Sequence, residues 1–153
     1  MTQRTWIAAR RPAPATRVTQ VYAFALDDRL RLVVLRDASG RCTLPGGKPE
    51  ATDQGAVATL RRECLEEGQM LLRTVRYLGH VEVDDGDRRP YAQLRYLARV
   101  EAFLPTAPDV ATGETYTRLL VPLHRANDFL RWGDHGAAQV RSAVSAVAEG
   151  NAH

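Results

Sequence analysis

The chain contains little that would staple or anchor it. Of its 153 residues only two are cysteine, Cys42 and Cys64. That is too few for a disulfide framework, and both fall in apolar patterns, so the expectation is two free thiols in a reducing compartment. Apolar runs last only a few residues, which excludes a membrane-spanning helix. The stretch from Met1 to Arg11 has no apolar core of a secretory signal, which predicts a cytoplasmic protein without a membrane partner. Lysine is nearly missing: of 21 basic residues Lys48 is the one lysine and the rest are arginine. The net charge of +3 is small, and the arginines are scattered and not gathered into a stripe, which argues against a nucleic-acid partner. No repeat, low-complexity tract or disorder-prone composition is present. The length suits one domain that buries its core unaided. A homodimer stays open.

What is present is a sequence of short β-patterned stretches broken by two helical ones. Residues 1–16 are rich in Arg, Pro and Ala, with Pro12 and Pro14 breaking any helix, and read as a flexible N-terminal arm before a single domain over 17–153. Val18 to Leu26 and Leu30 to Leu35 read as strands joined by an Asp27-Asp28-Arg29 hairpin link. Cys42-Thr43-Leu44 is a short strand that runs into Pro45-Gly46-Gly47. Ala56, Val57, Leu60, Cys64 and Leu65 form a stripe at helical spacing, with Thr52 or Asp53 as N-cap and an end near Gly68. Val75–Val83 and Tyr91–Leu104 are long strands, and Tyr116–Val121 is a shorter one. Gly136–Glu149 is an amphipathic helix with Val140, Ala143, Val144 and Val147 on one face. Strands, helix, strands, helix imply an α/β fold, a mixed β-sheet with helices on its faces.

The chemistry is concentrated between Gly46 and Met70. Glu63, Glu66 and Glu67 stand at i, i+3 and i+4, so their carboxylates share one helical face and repel one another. Such a face is either merely solvated or a site for a hard cation. Three carboxylates without a His or Cys partner suit Mg²⁺ or Mn²⁺ and not zinc. The arginines Arg88, Arg89 and Arg95 can hold phosphate or be solvated. The aromatics Tyr22, Tyr91, Tyr96 and Trp132 can stack a base or fill the core. His80, His124 and His135 carry no assigned role.

The segment resembles the box of the Nudix hydrolases, G-x5-E-x7-R-E-U-x-E-E-x-G-U with U a bulky apolar residue. Arg62-Glu63-Cys64-Leu65-Glu66-Glu67 matches its centre, and Leu44-Pro45-Gly46-Gly47-Lys48 matches the usual approach. The surrounding strand order is also similar, loosely over residues 17–150. Three positions depart. The loop is one residue longer, so that Asp53 or Gln54 falls where the first Glu belongs, Asp53 being the better stand-in. Gln69 replaces the late Gly, and Cys64 is a smaller apolar residue.

The resemblance implies a Nudix-like α/β/α sandwich and a Mg²⁺- or Mn²⁺-dependent pyrophosphohydrolase. It would cleave the diphosphate linkage of a nucleoside diphosphate joined to another group, a nucleotide-type small molecule. It implies Glu63, Glu66 and Glu67 as metal ligands, with the carbonyl of Gly46 adding another. Arg62 would turn away from the metal and brace the helix against an acidic neighbour such as Asp53. Glu66 is the first choice of general base, and Glu114, in Thr112-Gly113-Glu114-Thr115, the second. Markers of particular substrates in the family are missing, so the substrate-binding residues stay unassigned. A nucleotide-binding module of the same fold without hydrolysis is the alternative. It would be expected to lack one of the three glutamates, and all three are present.

Overall fold

The structure is a computed structural model that describes residues 1–151; residues 152 and 153, the end of the expected domain, lie outside it. The elements follow in the order β1 (Gln3–Ala8), β2 (Val18–Leu26), β3 (Arg31–Arg36), β4 (Cys42–Thr43), β5 (Gly46–Gly47), α1 (Ala56–Gly68), β6 (Met70–Asp84), β7 (Tyr91–Phe103), β8 (Thr117–Pro122), a 3₁₀ turn (Leu123–Arg125), α2 (Ala126–Leu130) and α3 (Gly133–Asn151). The strands form one mixed sheet in the order β1-β6-β7-β2-β3-β4, with β5 added to β2 and β8 to β3. Strands β2 and β7 run parallel, with Tyr22 beside Arg95. The other pairs are antiparallel.

Alternation along β2 assigns its two faces, because successive side chains of a strand point to opposite sides. Val21, Ala23 and Ala25 pack with Leu60 and Cys64 of α1. Phe24 and Leu26 pack with Val140, Ala143 and Ala146 of α3 and with Ala126 and Leu130 of α2. The sheet is thus covered by helices on both sides, the α/β/α sandwich expected. On α3 the buried stripe runs through Ala146, while Val144 is 41% exposed.

Three local expectations need correction. The first 16 residues are not simply an arm: Gln3–Ala8 is an edge strand, paired from Gln3↔Asp84 to Ala8↔Gly79. Its half-buried Trp6 donates Nε1–H to Ser142 Oγ on α3 at 2.9 Å. The prolines that argued against order lie beyond it, after Ala9 has turned the chain at φ 61°. The N-cap of α1 is Gly55, at φ 97°, and neither Thr52 nor Asp53; the Asp53 carboxylate has another use, described below. Gly46–Gly47, for which no strand was expected, is a two-residue strand on Val21 and Tyr22.

Candidate active site

The site begins where β2 exchanges partners. Its last residue, Leu26, faces β3, but Val21 and Tyr22 face Gly47 and Gly46. A side chain at Gly46, whose φ is 153°, would collide with the Tyr22 ring and the Val21 carbonyl. A Cβ at Gly47 would come within 2.5 Å of the Glu63 carboxyl carbon. The two glycines therefore let the backbone lie directly beneath the acidic face of α1. From there the Gly46 N–H donates to Glu67 Oε1 at 3.3 Å.

The loop to α1 is held by Asp53. Its carboxylate accepts from the Glu50 N–H at 2.9 Å and from Thr59 Oγ1 at 2.8 Å. It also receives Arg62 Nε on Oδ1 and Nη2 on Oδ2, both at 2.9 Å. This bidentate fork is the brace expected of Arg62, with Asp53 as its acid. Hydrogen bonding to Arg62, foremost, keeps the Asp53 carboxyl well below the usual carboxylate range. Arg62 does not, however, turn away from the acidic face. Its Nη1 contacts Glu63 Oε1 at 2.9 Å and Glu66 Oε2 at 3.2 Å. Uncompensated carboxylates draw the nearest cation, and the fork has a free edge to offer.

Glu67 lies deepest. Burial pushes its carboxyl up to about 8, against the pull of the Gly46 N–H, with Glu63, Asp109 and Glu114 adding repulsion. Glu63 is raised as well, by burial first, although Arg62 opposes it. The result is an excess of negative charge gathered about one guanidinium.

The family model of the NUDIX domain matches residues 16–139 of this chain. The chain belongs to the Nudix hydrolase family. Among curated proteins none matches its sequence. Solved structures share the Nudix fold at low identity. A mutant of the pyrophosphohydrolase BsRppH from Bacillus subtilis has a TM-score of 0.72 at 16% identity, covering 95% of this chain and 92% of that one. A NUDIX hydrolase from Nitrosomonas europaea has 0.63 at 15%, covering 86% and 90%. An Ap4A hydrolase from C. elegans has 0.57 at 14%, covering 86% and 98%. As a Nudix hydrolase the chain is an enzyme of the class that opens the diphosphate linkages of nucleoside diphosphate derivatives.

Of the Nudix residues expected from sequence, Gly46, Arg62, Glu63, Glu66 and Glu67 come together. Glu114 approaches from the loop after β7; it accepts Tyr116 O–H at 3.2 Å and lies close enough to raise Glu67. Sequence reading missed Asp109, a buried residue of that loop. Its backbone N–H donates to the Glu114 carbonyl at 2.8 Å, and its Oδ1 accepts from the Ala111 N–H at 2.8 Å. Arg118 was missed too. Its Nη1 donates to the carbonyls of Gln69 at 3.1 Å and Leu104 at 2.8 Å, tying the end of α1 to the start of that loop. Neither has a sequence signal, since an acid in a Pro- and Gly-containing loop and an arginine on a strand look like surface residues. Arg88 and Arg89 are exposed and line a separate cavity with Arg17 and Glu82, and Tyr96 is in the core beside Tyr77.

Among the described residues no three acidic, His or Cys side chains converge as a preformed ion cage, and Arg62 is paired with both Glu63 and Glu66. The donor set nonetheless fits Mg²⁺ or Mn²⁺. It is all oxygen, it is negative, and Glu67 is buried with a single 3.3 Å backbone contact, the condition a hard cation relieves.

Proposed function

We propose that this Nudix hydrolase cleaves the diphosphate linkage of a nucleoside diphosphate joined to another group, using Mg²⁺ or Mn²⁺ held by Glu63, Glu66, Glu67 and the Gly46 carbonyl. The observation that carries the reading is the acidic face of α1, pressed against Gly46-Gly47, with Arg62 as the one cation paired with it among the described residues. When bound, the divalent cation neutralises the diphosphate and makes water more acidic.

The chain's own groups do the rest. Asp53 and Arg62 fix the pitch of the acidic face, and Glu63 and Glu66, which Arg62 Nη1 contacts here, would hold the cation. Glu66, the ligand with the more exposed side chain at 27% against 16% for Glu63, accepts the proton of the attacking water. The water oxygen bonds to one phosphorus, the bridging P–O bond breaks, and its electron pair leaves with the second phosphate. Glu114 is the second candidate for the proton. The cytoplasm is the proposed compartment, in keeping with two free cysteines and the lack of any helix long and apolar enough to cross a membrane among the described residues.

The test is a phosphate-release screen over nucleoside di- and triphosphates, nucleotide sugars and dinucleoside polyphosphates, with Mg²⁺ and with chelator. Turnover of at least one class that disappears with chelator is expected. Full turnover after exhaustive chelation would remove the metal from the account.

A further inference from the structure

Arg95 is the largest fully buried side chain of the protein, 2% exposed. An interior arginine ordinarily sits against a carboxylate, because an unpaired buried charge is costly. Among the described residues Arg95 has none. Its Nε donates to Gln139 Oε1 at 2.9 Å and its Nη1 to the Leu94 carbonyl at 3.2 Å, both neutral acceptors. The guanidinium lies over the rings of Tyr22, at 4.8 Å, and Trp132, at 5.1 Å. Burial lowers it to about 10, which leaves it charged at neutral pH.

Arg95 lines a cavity of about 380 Å³ whose other cations are Arg4, Arg41 and Arg131, and whose wall contains no acidic residue. Four separate elements supply these arginines: β1, the turn before β4, β7 and the α2–α3 link. None of the four takes part in an ion pair among the described residues. Gln139, itself fully buried, also bonds His135 Nδ1 at 2.9 Å, so that a neutral amide holds two cavity residues in place. The cavity adjoins the acidic face through Tyr22. That residue lines it, pairs with Gly46 in the sheet, and is acted on electrostatically by Glu67 and Glu63 as well as by Arg95 and Arg41.

We propose that this cavity is an anion subsite that binds a phosphate group of the substrate additional to the diphosphate being cleaved. The preferred substrates are therefore nucleotides with a further phosphate. Arg95 supplies the fixed charge at the base, and Arg41 and Arg131, exposed at the rim, close on the anion with the bidentate geometry that guanidinium groups offer phosphate. The assignment of the extra phosphate to a substrate rests on the hydrolase reading above; anion binding by the cavity does not.

The test is calorimetric titration of the whole protein with inorganic tripolyphosphate in the presence of chelator, so that the acidic face contributes no metal-assisted binding. The wild type should bind. Arg41→Ala/Arg131→Ala should weaken binding by about tenfold or more, as expected for the loss of charge-assisted contacts. Arg88→Ala/Arg89→Ala, which removes the same charge from another part of the surface, should leave it unchanged. No binding by the wild type, or an equal loss in both double variants, would overturn the subsite. Absence of hydrolysis with Mg²⁺ alongside intact tripolyphosphate binding would instead overturn the hydrolase reading and leave the cavity standing.

Discussion

At the scale of single residues, Arg62 is at once a brace and a stand-in cation. Two of its nitrogens grip Asp53 while the third covers Glu63 and Glu66. Arg62→Ala should lower activity by about 10- to 100-fold, the usual cost of losing a group that orients metal ligands, with the ligands themselves intact. Steady-state kinetics beside Mn²⁺ titration checks this, and unchanged activity and metal affinity would reduce Arg62 to a surface charge. Asp53 gives a pH signature. Its carboxyl is held below the ordinary value, so its contribution to stability is present above the unfolded value of about 4 and is lost as pH falls through the folded one. Denaturant melts from pH 6 downward should show wild type losing stability in acid more steeply than Asp53→Asn. Identical acid limbs would contradict the brace. The pairing was legible in sequence because Arg62 matches the motif and Asp53 is the better stand-in for its first Glu. The contact of Arg62 with the acidic face was not, since no pattern of residues records where a fork's spare edge points.

At the scale of elements, α1 ends in an unusual way. Gln69 takes the left-handed conformation at φ 48°, where glycine is the ordinary residue. It is partly compensated: its Nε2 donates to the Glu66 carbonyl at 2.8 Å, but its buried Oε1 has no partner. Gln69→Gly should therefore be neutral or stabilising, and Gln69→Ala, with the strain kept and the bond lost, should cost about 1 kcal/mol. Equilibrium unfolding of the two variants checks the order, and an alanine more stable than glycine would refute it. Helix α1 and strands β2, β3, β7 and β8 were legible within a few residues because each carries a long run of one period, whereas β6 begins at Met70, five residues before the expected Val75. Strands β1, β5 and the short α2 were not. Gln3–Ala8 exposes most of its side chains at a sheet edge, and Gly46–Gly47 has no side chain to carry a pattern.

At the scale of the whole molecule, the N-terminal strand joins the two ends of the chain. Trp6 on β1 bonds Ser142 on α3, and Arg4 on the same strand reaches the arginine cavity. Trp6→Ala should destabilise by about 2 kcal/mol, below the range for a fully buried aromatic, and lower the melting temperature by about 4–8 °C. No change in calorimetric melting would return β1 to the status of an arm. The acidic face could be read from sequence because its members lie close along one helix. The cavity could not, because its arginines come from four distant stretches that only the fold brings together. The most direct test of the central claim is turnover by Glu66→Gln at saturating Mg²⁺, beside Glu114→Gln. The substitution keeps shape while removing charge and basicity. The account predicts a kcat lower by at least about 10²–10⁴-fold, the share of a general base, in a protein that still folds. Wild-type turnover by Glu66→Gln would contradict it, and if Glu114→Gln were then the inactive variant, the base would be Glu114.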